Sequence, residues 1–477
     1  MANEPTLSPT SLASLSTINN FRDLVFNEME PAARRYLPPW SRPHIIGIAG
    51  SSGSGKTSVA SQIIKALNVP WTVILPFDNF YRPLSPAQRE RAFANEYDFD
   101  APEALDLDML VDVLTNLRQG KKVEVPTYSF SEHNRTELTT TIYGANVIIL
   151  EGIFTLYDPR IVELLDLKVF VDTDLDICMA RRLRRDIVHR GRELSGAMKQ
   201  WFSFVKPNFE TYVRPTMRQA DVVVPRGLDN VVAIDMLIKH VQRTLAAKSR
   251  LHLEQLGQLV GTKDADAEFA AKGNNHVRVL AQTPQVQAMH TILFNRATTR
   301  DDFVFYFERL MAILIESALD YVPYETKKVQ TETGLEYMGL AATMETCAVS
   351  ILRAGACFET SLRRILPTIA IGKVLIQSNS RTGEPFLHYL KLPPRIENKF
   401  ILLVDAQATT GAAAIMAIRV LLDHGALPEN ICFVTYLADK RVAIRRILAA
   451  YPKVKVVVGK VEDQIRRRFI DTRYFGT

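Results

Sequence analysis

Residues 47–58 read GIAGSSGSGKTS, and the spacing of their glycines, lysine and threonine suits the binding of a nucleotide phosphate. The glycines let backbone N–H groups turn toward phosphate oxygens, Lys56 would reach the β and γ phosphates, and the Thr57 hydroxyl would bind Mg²⁺. An apolar run precedes the loop and the helix-forming stretch SVASQIIKAL follows it, which is the context that this motif requires. The sequence predicts a nucleotide-binding loop made of Gly50, Ser51, Ser52, Gly53, Ser54, Gly55, Lys56, Thr57 and Ser58.

Two acids follow apolar runs at the point where ligands bind in open α/β sheets. Asp78 comes after WTVILPF, and Glu151 ends VIILE. Asp78 would accept a proton from an attacking hydroxyl, or it would cap the start of a helix. Glu151 would hold Mg²⁺ directly or through water, or it would be a solvated acid at the end of a strand. Their spacing leaves both pairs of alternatives open.

The segment ARRLRRDIVHRGR, residues 180–192, concentrates positive charge, which only Asp186 offsets locally. Helical spacing places Arg181, Arg184 and Arg185 on one face. Three interpretations remain open here: a nucleic-acid patch, a solvated face, or a lid whose arginines close over transferring phosphates.

Elements that would position these residues follow from the apolar runs. At about 150 residues per domain, 477 residues indicate two or three domains. Strand-length runs alternate with helix-period segments, which predicts parallel sheets covered on both faces. The predicted strands are HIIGIAG, WTVILPF, NVIILEG, LKVFVDT and ADVVVP in the first block, and CAVSILRAG, KVLIQSN, KFILLVDA, NICFVTYLA and KVKVVVGK in the second.

The pattern divides the chain into two α/β domains. We predict a polar, mobile tail at residues 1–42, a first domain at 43–245, a helix tail and linker at 246–276, and a second domain at 277–477. The apolar segment at residues 303–322 contains charged side chains, which favours a buried helix over a membrane span.

Composition narrows the class of protein. The hydrophobic content of 47% and charged content of 23% are typical of a soluble globular protein. A net charge of +6 is small for this length, which argues against a dedicated nucleic-acid binder and allows anionic small ligands. The cysteines, Cys178, Cys347, Cys357 and Cys432, form no CxxC pair, and the N-terminus lacks the apolar core of a signal peptide. We expect no membrane partner and a reducing compartment, the cytoplasm or the nucleus.

The first domain resembles uridine-cytidine kinase, in the P-loop nucleoside kinase group. The resemblance covers residues 44–245 nearly without gaps and in the family's order. Its motifs are GSSGSGKTS, DNFYR, YDFDAPEAL, VPTYSFSEHNR, ILEGIF, VDTDLD, ARRLRRDIVHRGR, FVKPNFE and DVVVPRG. It implies a P-loop NTPase-type parallel sheet, ATP or GTP as the phosphate donor with Mg²⁺, and transfer to the 5′-hydroxyl of uridine or cytidine, giving UMP or CMP.

The resemblance also implies roles for single residues. Asp78 resembles the general base and Mg²⁺ neighbour, Glu151 the Mg²⁺-side acid, and Arg182 and Arg185 the lid arginines, beside Lys56 and Thr57. Trp201 stands where the family often has Tyr, which keeps a stacking surface without the hydroxyl. The implied nucleoside contacts are Asp100 for the ribose hydroxyls, Tyr128, Phe130 and His133 for the base, and Arg192 and Gln200.

Residues 277–477 resemble uracil phosphoribosyltransferase, which implies a type I phosphoribosyltransferase-like α/β domain. The matching stretches are SILRAGACF, IQSNSRTGEPFLHYLKLPP, FILLVDAQATTGAAAIMAIRVLLDHG and the terminal RYFGT. The resemblance implies a remnant of a phosphoribosyl site made of Arg353, Asp405, Thr409, Thr410 and Gly411.

Departures from that family weaken the second site. Ala406 stands in place of a Pro and Ala412 in place of a Gly, where a Cβ would crowd a phosphate. The uracil loop before the final YFGT is shortened and has lost its Pro and Gly. We therefore expect a degenerate domain that senses a nucleotide or assembles a homo-oligomer, a dimer or tetramer. The alternatives are a bifunctional enzyme and a non-catalytic nucleotide sensor.

Overall fold

A computed structural model describes residues 36–67, 69, 72–259, 276–379, 382–463, 465 and 468–476. Residues 1–35 of the predicted tail and residues 260–275 of the predicted linker lie outside this described part. Trp40, at the end of the predicted tail, is buried within a short turn. The helix Val231–Gln258 continues past residue 245. The described, buried structure therefore begins before residue 43. The predicted domain bounds stay predictions.

The first half forms a parallel sheet with helices around it. Two π-helical turns, Trp201–Val205 and Phe209–Val213, lie on either side of the short helix Lys206–Asn208. In chain order the elements are β1 (His44–Gly50), α1 (Lys56–Leu67), β2 (Thr72–Pro76), α2 (Pro86–Phe93), α3 (Leu107–Arg118), β3 (Val123–Ser129), β4 (Asn134–Ile142), β5 (Val147–Glu151), α4 (Pro159–Leu164), β6 (Leu167–Asp172), α5 (Leu175–Arg190), α6 (Leu194–Gln200), α7 (Lys206–Asn208), β7 (Val222–Pro225) and α8 (Val231–Gln258).

The strand order β2-β5-β1-β6-β7 brings the predicted catalytic segments to one edge. All neighbouring strands are parallel, so their carboxyl ends share that edge. Glu151 pairs with Ile48 of β1 on one side and with Pro76 of β2 on the other. The loop after β1 and the turn after β2 therefore flank the end of β5.

The apolar runs of this sheet are continuous because both faces are covered. Every residue of β1 is buried. Ile45 belongs to the core cluster on one face, whereas Ile46 and Ile48 belong to the cluster on the other. Alternate side chains of a strand point to opposite faces, so a doubly covered strand is apolar at nearly every position. The exception in β1 is its first residue, His44, which is buried beside Asp166. The five predicted strands are confirmed.

An antiparallel ribbon, β3–β4, lies outside this sheet, and the apolar pattern did not predict it. Its strands pair from Val123 opposite Ile142 to Ser129 opposite Asn134. Residues 137–141 of β4 are exposed, so the strand lacks the apolar run that revealed the others.

The second half forms a seven-stranded sheet in the order β13-β12-β11-β14-β15-β16-β8. The β12–β13 pair is antiparallel and the other pairs are parallel. The five strands predicted in this half are confirmed. Its elements are β8 (Val277–Val279), α9 (Pro284–Phe294), α10 (Arg300–Leu319), β9 (Tyr324–Gln330), β10 (Glu336–Ala342), β11 (Glu345–Leu352), α11 (Glu359–Ile365), β12 (Ala370–Ser378), β13 (Pro385–Lys391), β14 (Lys399–Ala408), α12 (Ala412–Asp423), β15 (Ile431–Asp439), α13 (Arg445–Ala450), β16 (Lys455–Glu462) and α14 (Ile470–Phe475).

The apolar segment near residue 303 is the buried helix that its charges predicted. Phe303, Phe307, Leu310 and Leu314 of α10 lie in the core of the second half. None of the helices in the described part is long and apolar enough to cross a bilayer.

Candidate active site

The loop between β1 and α1 has the backbone that close phosphate approach requires. Gly50 has a φ of 143° and Gly53 a φ of 86°. A Cβ would lie 2.4 Å from the Val171 carbonyl oxygen at Gly50 and 2.3 Å from the Cys178 carbonyl oxygen at Gly53. Only glycine fits both positions, because the φ values are unfavourable for other residues and no room exists for a side chain.

Lys56 is held against this loop. Its Nζ donates a hydrogen bond to the Ser51 carbonyl oxygen at 2.8 Å. Burial lowers the pKa of Lys56, while Glu151 and Asp78 oppose that shift. The ammonium group therefore sits in a partly desolvated position beside two carboxylates, where its attraction for a phosphate is stronger than in water.

The two strand-end acids face this lysine. Burial raises the pKa of both Asp78 and Glu151, and Lys56 acts in the opposite direction on each. The Thr57 hydroxyl donates to Glu151 Oε1 at 2.9 Å. A hydroxyl and two carboxylates are hard oxygen donors of the kind that Mg²⁺ prefers, so these three residues fit that ion.

Asp78 does not act as a helix cap. It lies within the turn Phe77–Phe80, which follows Pro76 and has no capping hydrogen bond from a side chain. Of the two alternatives that the spacing left open, helix capping is wrong, and the carboxylate remains available to a ligand.

Asp100 is connected to the phosphate loop through one arginine. The Arg182 guanidinium donates to Ser52 Oγ at 2.9 Å and to Asp100 Oδ1 at 3.4 Å. Asp100 and Arg182 are both buried. A carboxylate beside the loop accepts hydrogen bonds from two vicinal hydroxyls, which is the geometry that a ribose offers.

The β3–β4 ribbon brings three rings, those of Tyr128, Phe130 and His133, to the same cleft as Asp100. Tyr128 lies 5.0 Å from the ring centroid of Tyr81, and His133 stacks on Phe99 at 5.3 Å with an interplanar angle of 21°. Phe130 is 37% exposed, so part of its ring is accessible to a ligand. These rings line one aromatic slot, whose ring faces and edges can contact a planar base.

His133 is neutral at physiological pH. Burial lowers its pKa to about 4, and Arg192 and Arg190 act in the same direction. A neutral imidazole carries one donor and one acceptor, so it can pair with a base edge that offers both.

Arginines in α5 and just after it converge on one buried acid. Asp186 lies within 4 Å of four guanidinium groups, which belong to Arg182 (3.5 Å), Arg185 (3.0 Å), Arg190 (3.4 Å) and Arg192 (3.7 Å). Burial would raise the pKa of Asp186, but these arginines lower it below its ordinary value.

The arginines of α5 do not all line the cleft. Arg182 and Arg185 turn toward the cleft, whereas Arg181 pairs with the exposed Asp229 at 3.7 Å. Arg182 precedes Asp186 by four positions, so the helix places the two side chains on the same side, where they pair at 3.5 Å.

These groups line one cleft of about 820 Å³, counting space open to solvent. Trp201 is not among them, because it packs with Cys178 and Val205 in a small core, so the expected stacking surface is wrong. The predicted residues that line the cleft are Ser52, Lys56, Thr57, Asp78, Asp100, Tyr128, Phe130, His133, Glu151, Arg182, Arg185, Arg192 and Gln200.

Several lining residues were not predicted: Tyr81, Tyr97, Phe99, Arg190 and Phe204. The first three lie inside or beside the DNFYR and YDFDAPEAL motifs, so these motifs already contained the signal. Arg190 Cζ lies 4.0 Å from the ring centroid of Phe130, a cation–π contact that spacing along the chain does not reveal.

The second half has a different arrangement at its candidate site. Asp405 is buried at the end of β14, and Arg468 Nη2 donates to its Oδ2 at 3.0 Å and to the Gln407 carbonyl oxygen at 2.7 Å. Arg353 pairs with Asp471 at 3.4 Å. Thr409, Thr410 and Gly411 form the turn into α12. Residues of the chain's own C-terminal segment therefore engage both of the predicted charged residues.

Comparison with known proteins gives a separate family match for each half of the chain. Residues 45–233 match the model of the phosphoribulokinase/uridine kinase family, and residues 279–474 match that of uracil phosphoribosyltransferase. A "Uridine kinase" of Saccharomyces cerevisiae is 47% identical over 93% of this chain and 90% of its own length.

Two further relatives extend over both halves. A "Uridine kinase" of Schizosaccharomyces pombe is 44% identical over 92% of this chain and 97% of its own length. A "Uridine-cytidine kinase-like 1" of Mus musculus is 44% identical over 92% of this chain and 82% of its own length. On this similarity along nearly the whole chain, the protein belongs to the uridine kinase family, with a C-terminal half similar to uracil phosphoribosyltransferase.

Proposed function

We propose that this chain transfers the γ-phosphate of ATP or GTP to the 5′-hydroxyl of uridine or cytidine, giving UMP or CMP in pyrimidine salvage. The observation that supports this most directly is that one cleft holds both the phosphate loop and the slot of Tyr128, Phe130 and His133. Asp100 lines the same cleft, and a ribose held there would join a base in the slot to a phosphate on the loop.

Asp78 is the general base of the proposed reaction. Its carboxylate accepts the proton of the 5′-hydroxyl as the oxygen attacks the γ-phosphorus. Burial raises its pKa, which makes the carboxylate a better proton acceptor, while Arg190 and Lys56 keep the charged form accessible. Catalysis of this kind consists mainly of positioning the hydroxyl and stabilising charge on the phosphoryl oxygens.

Lys56, Arg182, Arg185 and Arg190 would surround the transferring phosphoryl group with positive charge. Arg182 also contacts Asp100 and Ser52, so it joins the nucleoside side of the cleft to the phosphate side. Thr57, Asp78 and Glu151 would hold Mg²⁺, which when bound neutralises charge on the phosphate oxygens.

The first test is phosphate transfer by the purified full-length protein with ATP and Mg²⁺. We expect UMP to form at roughly 1–100 s⁻¹ in the presence of uridine, which is typical of kinases. 5′-Deoxyuridine is the matched control, because it keeps the base and ribose ring and lacks only the acceptor hydroxyl. Equal ATP consumption with uridine, with 5′-deoxyuridine and without a nucleoside would contradict the proposal.

We further propose that the C-terminal half does not transfer phosphoribose to uracil and has a regulatory or assembly role. Asp405, which would hold ribose hydroxyls, already accepts hydrogen bonds from Arg468 and is buried. A phosphoribosyl ligand would have to displace this ion pair, which costs free energy because Asp405 would lose its charged partner.

This proposal predicts no UMP from uracil and phosphoribosyl pyrophosphate. The assay uses the full chain without ATP, with an Asp405→Ala variant beside it. UMP formation by the unaltered chain that disappears in the variant would show a working transferase site and overturn the proposal.

A further inference from the structure

Two carboxylates of the C-terminal half, the buried Glu384 and the half-buried Asp423, contact the kinase half. Glu384 accepts hydrogen bonds from Ser249 Oγ and lies 2.7 Å from His252 Nδ1, both on α8. Asp423, the last residue of α12, contacts the chain near the β3–β4 ribbon instead. The two contacts therefore reach different parts of the kinase half.

Asp423 collects three donors. Its Oδ2 accepts from Tyr143 Oη at 2.7 Å and from Trp40 Nε1 at 3.3 Å, and its Oδ1 pairs with Arg419 at 2.8 Å. Tyr143 and Trp40 are 4% and 2% exposed, so neither donor can turn to water if the carboxylate is lost. Burial and Asp423 both raise the pKa of Tyr143, which keeps its hydroxyl protonated as a donor.

Tyr143 connects Asp423 to the ribbon that carries the nucleoside slot. Tyr143 directly follows the last residue of β4, at the open end of the ribbon. The other end carries the tip of the slot, with Phe130 and His133 in the turn between the strands. The ring of His424 packs edge-on against the ring of Tyr143, with 4.7 Å between the ring centroids. Asp423 and His424, which are neighbours in the chain, therefore both contact Tyr143.

The ribbon depends on its attachments, because a two-stranded ribbon by itself is marginal in water. Near the tip, Arg135 donates to the Phe80 carbonyl oxygen and to Asp106, each at 3.2 Å. At the open end, Tyr143 is held by Asp423. The same end also packs in the core of the first half through Val125 and Ile142, so loss of the Asp423 contact would shift this end of the ribbon without releasing it. A shift along the ribbon reaches the slot, because Arg135 pairs with Tyr128 across the two strands.

We propose that Asp423 is a positioning residue for the nucleoside slot, through which the C-terminal half contributes to the kinase reaction. The inference rests on the proposed binding of uridine to this ribbon. Asp423 acts through Tyr143 and touches no substrate. Because the phosphate loop lies on β1 and α1, away from this contact, the effect falls on uridine and not on the nucleotide.

An Asp423→Asn variant weakens the attachment with almost no change in shape. The amide has one oxygen, so its NH₂ group must face either Arg419 or the two donors Tyr143 and Trp40. At least one donor therefore loses its acceptor inside the protein.

The experiment compares steady-state kinetics of full-length variants. We expect Asp423→Asn and Tyr143→Phe to raise the KM for uridine by about fivefold with the KM for ATP unchanged, since misplacing groups far from the chemistry can cost up to about a hundredfold. Glu384→Gln is the matched control, because it makes the same carboxylate-to-amide change at the other contact between the halves. It should leave both KM values unchanged.

Three outcomes separate the possibilities. An unchanged KM for uridine in both Asp423→Asn and Tyr143→Phe, or an equal rise in Glu384→Gln, would overturn the inference. If Asp423→Asn does not fold, Tyr143→Phe decides alone, because it removes only one hydroxyl. A His133→Ala variant tests the slot itself: if it leaves the KM for uridine unchanged, the proposed uridine site fails, whatever Asp423 does.

Discussion

Replacement of Asp78 by Asn is expected to lower kcat for uridine phosphorylation by about 10²–10⁴-fold, the usual contribution of a general base. An amide has nearly the shape of the carboxylate and accepts no proton at neutral pH. The 5′-hydroxyl would still bind, but its proton would have no acceptor as the oxygen attacks. The measurement is the rate of UMP formation at saturating uridine and ATP.

A matched variant and the KM for uridine are the two controls for this prediction. Asp108→Asn makes the same chemical change on an acid that is 75% exposed and paired with Arg160, and it should leave kcat unchanged. The KM for uridine should change little in Asp78→Asn, because Asp100 and the aromatic slot are intact. A variant that retains more than a tenth of the kcat would remove Asp78 from the role of base.

The sequence predicts best those parts of the fold whose residues are apolar because they are buried on both faces. A parallel strand buried on both faces is apolar at nearly every position, and β1 with its sequence HIIGIAG is such a strand after its first residue. The phosphate loop can also be predicted from the sequence, because Gly50 and Gly53 adopt backbone angles that almost only glycine tolerates.

The β3–β4 ribbon was not predicted, because one of its strands is largely exposed and lacks an apolar pattern. In β4 the residues from 137 to 141 are exposed, so their sequence ELTTT shows neither an apolar run nor alternation. The aromatic slot that the ribbon carries was assigned only through resemblance to a family. Its remaining members, such as Phe99 against His133, come from segments with no regular spacing.

Contacts between distant segments were the least predictable. Tyr143 and Asp423 are 280 positions apart, and nothing in either local sequence indicates a partner. The same holds for Arg468 on Asp405: the shortened C-terminal segment predicted a weakened site, but not that an arginine of that segment would pair with the acid.

Asp186 shows how a residue can matter in a site without being recognised from its type. In the sequence it is one acid among arginines, and it was assigned no role. In the structure it is buried and ion-paired with four arginines of the cleft. We therefore expect Asp186→Asn to lower the free energy of unfolding of the kinase half by about 3 kcal/mol, the lower end for breaking a buried ion pair from one side.

The same change should lower kcat, because Arg185 and Arg190 would lose the anion that holds them against their mutual repulsion. Asp108→Asn again serves as the control: its exposed pair with Arg160 should contribute less than about 1 kcal/mol. Chemical denaturation monitored by intrinsic fluorescence measures the first effect, and UMP formation the second. Equal stability of the two variants would mean that solvent replaces the buried carboxylate without loss.

The pH dependence of that stability has a definite sign. The pKa of Asp186 is lowered in the folded protein, so the folded state binds fewer protons than the unfolded state in acid. Its contribution is complete above the unfolded pKa of about 3.9 and is lost as the pH falls through the folded value. The stability difference between the unaltered protein and Asp186→Asn should therefore be constant from pH 6 to 8 and shrink only below about pH 4. A difference that changes between pH 6 and 8 would point to another titrating group and contradict an ionised Asp186 at the centre of the arginines.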